Sequence, residues 1–574
     1  MRTVIRYLKP YSLRMLGGFC IKVTGTVVEL ALPYILSHIL KNVIIFESIG
    51  KIVFWGGLMI VCAAMAWVLN IIANRMAAGV AKRFSLHLRR DLFGKTIRLS
   101  AAQTDRFTVA SLESRITTDT YNIHNFVNMV QRMGVRAPIL LMGGIAITMV
   151  MDQFLSLVMV AVLPLIFVII YLISRNGVPL YTKVQKAVDG MIRVVREDIQ
   201  GIRVIKALSK DTYEHRRYDK VNKALVKEEK HAGTIMGSVN PVMTLLMNLG
   251  ITAVVALSAS RVANHQSDPE TVIAFMQYFT QISMAMMTVT RMFVMYSKCS
   301  ASAKRVTEVL ESPDELAEHN PADDPVKNPE YAVEFEDVSF SYEGKQPNLD
   351  RISFALKPGQ HLGIIGATGS GKSTLIRLLL RFYDVDTGSI RLGGRDIRTI
   401  DRGELYSRFG TVMQNDFLYA DTVAENIRFG RDISPEAMEE AAKIAQAYDF
   451  ITGFSEGFEH MLAQKAANIS GGQKQRLLIA RALAAKPEIL ILDDSSSALD
   501  YKTEANLRKA LQTHMQGTTV VTVAQRVSAV KSCDLILVLD EGKIIGSGTH
   551  GELLETCEEY REISDSQMGG AIID

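Results

Sequence analysis

Residues 366–373 read Gly366-Ala367-Thr368-Gly369-Ser370-Gly371-Lys372-Ser373. This is the spacing Gly-x-x-x-x-Gly-Lys-Ser/Thr, and its surroundings are those a phosphate-binding loop needs. The apolar run His361–Ile365 before it predicts a strand, and Thr374–Phe382 after it predicts a helix. Glycines let backbone N–H groups close on a phosphate, and the helix N-terminus adds positive dipole. Lys372 is spaced to reach β- and γ-phosphates, and the Ser373 hydroxyl to ligate Mg²⁺. From residue 331 onward the chain alternates strands such as Ala332–Phe340 with helical runs, the pattern of an α/β domain.

Two further stretches fall downstream. Ile489–Leu492 is an apolar strand closed by Asp493, the form of a strand that presents a carboxylate to Mg²⁺. Ser470-Gly471-Gly472-Gln473-Lys474-Gln475-Arg476 opens a helical run just before it. Ser470 suits a helix N-cap, and the two glycines leave bare backbone for a γ-phosphate. Together these residues resemble the ATP-binding cassette (ABC) proteins, whose signature is Leu-Ser-Gly-Gly-Gln. Ile469 takes the Leu position here.

The resemblance covers essentially the whole chain and implies ATP and Mg²⁺ as ligands. It implies Tyr342 as the aromatic that stacks on adenine. It gives the phosphates to Gly366, Thr368, Gly369, Ser370, Gly371, Lys372, Ser373 and Thr374. Gln414 becomes the Q-loop residue, sharing the metal with Ser373 and Asp493, and Ser497-Ala498-Leu499-Asp500 the D-loop. It further implies that Ser470, Gly471, Gly472 and Gln473 close over ATP held by an opposite cassette. The glycosylation-like triplet Asn468-Ile469-Ser470 is then a coincidence in a cytosolic segment.

Besides Ile469, three features depart from the family pattern. Asp494 stands where a catalytic Glu is usual, and Gln525, in Val523-Ala524-Gln525-Arg526, stands where the switch His is usual. Ala463–Ala467 lacks the Glu that usually precedes the signature. A carboxylate one methylene short sits far from its proton, and a glutamine amide cannot shuttle one. Drift with activity retained is one reading. The sharper one is a degenerate site that binds ATP and turns it over slowly, with Asp494 and Gln525 in the catalytic positions. The intact Ser470–Gln473 then serves a second, non-identical half-transporter that brings its own Glu and His.

Residues 1–310 have a different texture. Ile52–Ala73, Phe154–Ile173 and Thr271–Thr290 are uncharged, and Pro241–Ser260 nearly matches them. Each approaches the ~20 residues a bilayer span needs. Ala137–Met151 and Met15–Leu40, the latter carrying Lys22 and Glu29, bring the expectation to six spans. The long segments Asn74–Tyr121 and Arg175–Lys230 hold the Lys and Arg, so both termini are expected in the cytoplasm and the protein in the cytoplasmic membrane. Ala77–Leu99 and Gln185–Lys230 read as helices running on from the spans, with turns near Gln103–Ser111 and Ser209–Arg216. Intramembrane Glu29 could face a cavity, a partner chain or a cationic substrate, or form a structural pair, and Arg291 could sit in the inner vestibule. Met284, Met286, Met287, Met292 and Met295, with Met236, Met243 and Met247, suit an adaptable wall or plain packing.

The fold expected is therefore an α-helical membrane domain (1–310) with six long helices of exporter type. A Pro-rich linker (311–330) follows, then an α/β P-loop nucleotide-binding domain (331–574). The resemblance implies an ATP-driven exporter subunit for amphipathic, multidrug-type small molecules. A specific lipid, peptide or metabolite exporter and a regulatory or channel-like ABC protein stay open. Over 574 residues the net charge is only +4, which argues against nucleic acid as a partner. The five cysteines include no Cys-x-x-Cys pair, which argues against a disulfide framework or a Cys-based zinc site. The basic N-terminal residues are followed by Lys22 and Glu29 inside the apolar stretch, unlike a cleaved signal sequence. A mean hydropathy of +0.14 averages an apolar half with a soluble one.

Overall fold

Long uncharged runs with no hydrogen-bonding partner outside themselves close their backbone internally, and the helix is the local way to do so. The computed structural model describes residues 1–44, 49–263, 269–313, 316, 326–342, 344, 346–414 and 416–568. Its first part is helical throughout: α1 (Arg2–Leu8), α2 (Ser12–His38), α3 (Ile49–Ile97), α4 (Ala101–Phe107), α5 (Val109–Ser114), α6 (Thr120–Met151), α7 (Gln153–Gln200), α8 (Ile202–Ala207), α9 (Asp211–Gly237), α10 (Val239–Ala263) and α11 (Pro269–Leu310).

Among the described residues five helical stretches are long and apolar enough to cross a membrane: Arg2–Val43, Ile49–Ile97, Val109–Met151, Asp211–Ala263 and Glu270–Leu310. The expected span Phe154–Ile173 lies in α7, whose apolar portion Gln153–Ile169 is shorter. The helices do run on far beyond span length, α3 for 49 residues and α7 for 48. The turns fall earlier than the sequence suggested. The first is Arg98–Thr108, enclosing α4, not Gln103–Ser111; the second is Gly201–Lys210, enclosing α8, not Ser209–Arg216. Gly201 stops α7, and Ser209 takes a positive φ of 50°, which turns the chain into α9. Most of the linker 311–330 lies outside the described residues.

Contacts divide the chain into two units. One is Met1–Ile97 with Thr108–Ser312; the other is Arg98–Phe107 with Pro313–Asp574. In the first, Leu30, Leu140, Met159, Met243, Tyr278, Phe279, Ile282 and Met286 form a core shared by α2, α6, α7, α10 and α11. Of the methionines, Met243 and Met286 are thus packing residues, whereas Met284 is exposed. The Tyr278 hydroxyl donates to the Leu30 carbonyl at 2.6 Å. Asp119 is fully buried below α6 and accepts from Ser302 (2.8 Å) and Arg305 Nε (2.7 Å) on α11.

The second unit holds ten strands: β1 (Val333–Phe340), β2 (Leu349–Leu356), β3 (His361–Gly366), β4 (Thr387–Leu392), β5 (Arg395–Asp396), β6 (Phe409–Val412), β7 (Ile489–Asp493), β8 (Thr519–Val523), β9 (Leu535–Asp540) and β10 (Lys543–Gly548). They form an antiparallel sheet, β2-β1-β4-β5, and a six-stranded sheet, β10-β9-β3-β8-β7-β6, parallel from β9 to β6. Parallel strands are buried on both faces and read as unbroken apolar runs, and Ile489–Asp493 is buried at every residue. The short helix α4 belongs to this unit: Ala101 packs on its core, and the Tyr383 hydroxyl donates to the Asp105 carboxylate.

Candidate functional site

β3, β8 and β7 lie side by side and run the same way, so the segments leaving their C-terminal ends converge. That end of an open α/β sheet is where ligand crevices form. β3 delivers the loop 366–371, β7 delivers Asp493 and Asp494, and β8 delivers Ala524 and Gln525. A cleft of about 810 Å³ results, lined by Thr368, Gly369, Gly371, Lys372, Ser373, Thr374, Gln414, Asp493, Asp494 and Gln525 among others. Gly366 and the buried Ser370 support the loop from beneath.

Local backbone chemistry explains the loop. Gly366 has φ +155°, and a Cβ there would stand 2.1 Å from the Leu539 carbonyl oxygen. Gly371 has φ +103° and caps the helix Lys372–Leu379, so the helix begins at Lys372, two residues before the sequence suggested. Free N–H groups of that first turn face the cleft. Lys372 Nζ donates to the carbonyls of Gly366 (2.9 Å) and Ala367 (2.6 Å), and its burial lowers its pKa, with Asp493 and Asp494 opposing.

The carboxylates differ. Asp493 is buried; burial and then the neighbouring Asp494 raise its pKa, against Lys372, Arg377 and a hydrogen bond from Ser373. A dehydrated carboxylate joined to a hydroxyl is an all-oxygen donor set of the kind Mg²⁺ takes, so Ser373 and Asp493 fit that ion. The Asp494 backbone is pinned. Its φ is +50°, its N–H donates to the Val523 carbonyl at 3.0 Å, and its carbonyl accepts from Ser497 Oγ at 3.0 Å. Its Oδ2 is the shared acceptor of two long bonds, from Gln414 Nε2 at 3.5 Å and Gln525 Nε2 at 3.4 Å. Burial raises the Asp494 pKa, and the Gln414 bond offsets part of that.

Tyr342 and the signature stand apart from the cleft lining. The Tyr342 hydroxyl meets Thr374 Oγ1 (3.4 Å) and accepts from Arg377 (3.1 Å), its ring edge-on to Phe340 and Tyr383. Ser470 caps the helix Gly471–Leu483 with a reciprocal box: Gln473 N–H donates to Ser470 Oγ at 3.3 Å, and Ser470 N–H to Gln473 Oε1 at 2.9 Å. Neither Ser470, Gly471, Gly472 nor Gln473 lines the cleft, so their glycine-bared N-terminus is left to face something else. One contributor was invisible in the sequence. The Gln567 amide, on the helix Glu558–Met568, donates to the Gln525 carbonyl and accepts from the Val527 N–H, both at 2.8 Å. Nothing local to Gln567 signals a partner 42 residues away.

Comparison with known proteins gives this geometry a lineage. Residues 15–286 match the ABC transporter transmembrane region, and residues 349–497 match the ABC transporter family. The chain is 33% identical over 575 residues to the uncharacterized ABC transporter ATP-binding protein YfiB of Bacillus subtilis, covering 99% of both chains. It therefore belongs to the ABC transporter family. The putative ABC transporter ATP-binding protein exp8 of Streptococcus pneumoniae is 30% identical, over 99% of this chain and 97% of that one. A bacterial Atm1-family ABC exporter solved with ATP bound shares the fold: TM-score 0.82, 97% of this chain and 98% of that chain covered, 23% identity. The ABC half-transporter thus joins one membrane domain to one ATP-binding domain of exporter fold. ABC ATPase domains bind ATP and couple its hydrolysis to transport.

Proposed function

We propose that this half-transporter is one subunit of a heterodimeric exporter of amphipathic compounds in the cytoplasmic membrane. It spans the bilayer six times, over 1–310, with both termini in the cytoplasm. Residues 311–330 link it to the cassette, 331–574. Its own cleft binds Mg²⁺-ATP and hydrolyses it slowly. Lys372 and the glycine loop hold the phosphates, Ser373, Gln414 and Asp493 the metal, and Tyr342 swings onto the adenine.

The observation that carries the reading is the Asp494 carboxylate. It is one methylene short, fixed by a pinned backbone, and engaged by two glutamine amides in place of an imidazole. A general base must reach within about 2.6–3.2 Å of its proton. Ser470–Gln473, capped and turned away from this cleft, complete the partner's site. There the partner's glutamate and histidine perform the efficient hydrolysis. The purified chain alone should bind ATP with background ATPase, and adding a partner half-transporter that carries Glu and His should restore turnover. Robust ATPase from the lone chain would sink the proposal.

A further inference from the structure

The membrane domain answers its inner charges with its own side chains. Glu29 accepts from Arg136, and Lys22 donates to Asn70 Oδ1 at 2.6 Å and Asn74 Oδ1 at 3.2 Å. The cations ahead of them are different. Arg2, Arg6, Lys9 and Arg14 are all exposed, and residues 2–28 contain no Asp or Glu. Among the described residues none of the four makes a salt bridge. The acid that α1 does reach, Asp91, is taken by the Tyr7 hydroxyl at 2.7 Å.

Helical spacing sorts this segment onto two faces. Val4 is buried, Tyr7 holds Asp91, and the Tyr11 hydroxyl hydrogen-bonds His87 Nδ1 at 2.8 Å, so one face is fastened to α3. The hydroxyls of Thr3 and Thr307, 2.7 Å apart, tie it to α11. The other face, with Ile5, Arg6, Leu8 and Lys9, overhangs a groove of about 610 Å³. Leu16 and Phe19 of α2, Ala73 of α3, and Val130 and Val135 of α6 line the same groove. Ile5, Leu16 and Phe19 stay largely exposed, so its apolar wall opens outward. Counting back from Met151, Val135 and Val130 lie ~24 and ~32 Å down α6. The uncharged run 52–73 ends at Ala73, and Arg75 follows. The groove thus straddles the edge of a ~30 Å hydrocarbon slab, at the end of the bundle that carries the Lys- and Arg-rich segments. Two unpaired cations above an apolar wall at that level are complementary to a phosphate headgroup joined to a hydrocarbon chain.

We propose that this groove is a binding site for one anionic phospholipid of the bilayer. Arg6 and Lys9 hold its phosphate, and an acyl chain lies along Leu16, Phe19 and Val135. The lipid is a bound component and not a cargo, so the site stands whether or not the chain transports.

The test is native mass spectrometry of the full chain in a neutral maltoside detergent, titrated with dioleoyl phosphatidylglycerol or dioleoyl phosphatidylcholine. A basic side chain near an anionic headgroup contributes about fivefold in affinity, so two predict a preference of roughly 30-fold. One phosphatidylglycerol per chain should be retained, at least about tenfold tighter than phosphatidylcholine. Arg6→Gln with Lys9→Gln should abolish that preference, and Arg6→Lys with Lys9→Arg should keep it. Arg2→Gln with Arg14→Gln removes the same charge from outside the groove lining and should leave the preference within about twofold. All four side chains are exposed, so these variants keep the fold. Equal affinity for the two lipids overturns the site. Equal losses in the two glutamine pairs also overturn it, because the attraction is then the diffuse charge of the segment. Glycerol phosphate, a headgroup without chains, should not compete; if it competes as well as the lipid does, the ligand is a free phosphate and the lipid site falls. Displacement of the lipid by an added partner half-transporter makes the groove a subunit interface and overturns the proposal as well.

Discussion

Lengthening one side chain by a methylene should wake the ATP site. The perturbation is Asp494→Glu, then Asp494→Glu with Gln525→His. The Asp494 backbone is fixed by bonds to Val523 and Ser497, so the carboxylate can advance only through its side chain. One added C–C bond moves it forward by ~1 Å. A misplacement of that size costs on the order of 100-fold in rate, and its removal should return about 2.7 kcal/mol of barrier. Against this stand the two amide contacts at 3.4 and 3.5 Å. Each is worth at most about 1 kcal/mol, and both exposed amides re-pair with water when released. The net expectation is a rise of about 10- to 100-fold in turnover at this site, with the histidine adding a group able to shuttle a proton. Phosphate release from nanodiscs holding two copies of the chain, so that each cleft faces the other copy's Ser470–Gln473, is the assay, beside a fluorescent-nucleotide titration to verify that ATP affinity stays within about threefold. The reasoning is refuted if the double variant binds ATP normally and turns over no faster than the parent.

Three other perturbations separate the parts. Gly366→Ala drives a Cβ into the Leu539 carbonyl at 2.1 Å, so ATP affinity should fall more than about tenfold, read by loss of nucleotide protection in a thermal melt. Ser470→Ala breaks the reciprocal cap and should destabilise its helix by about 1 kcal/mol. In the proposed heterodimer it should cut ATPase while leaving ATP binding by this chain unchanged. Asp119→Asn leaves Arg305 without its carboxylate. Because that guanidinium is 47% exposed and water can answer it, the loss should be about 2 kcal/mol, below the cost of breaking a fully buried pair, seen as a lower Tm.

What the chain disclosed by itself follows from how local each feature is. The phosphate loop, the strand Ile489–Asp493 and the cap at Ser470 are specified within a few residues, so both their place and their chemistry were legible. Helix ends in Ala77–Leu99 and Gln185–Lys230 were not. Basic, helix-favouring sequence continues past the turns, so nothing local singles out Gly201 as a stop. That Arg98–Phe107 packs with residues beyond 312 was equally hidden, because Asp105 and Tyr383 meet across 278 positions. Glu29 is anomalous in an apolar stretch, and the residue that answers it, Arg136, lies 107 positions on, so of the readings the sequence leaves open only the structure favours the ion pair.

The Gln567 amide behaves like one residue of an added strand, offering a donor and an acceptor to the backbone on either side of Arg526. Energetically the last turn of the helix Glu558–Met568 is therefore part of the ATP cleft. Cutting the chain before Gln567 would leave a carbonyl and an amide hydrogen to solvent and set Gln525 loose from its rail. The tail of the cassette is thus stitched to the backbone beside Gln525, a residue of the cleft wall, although no residue of that tail lines the cleft itself.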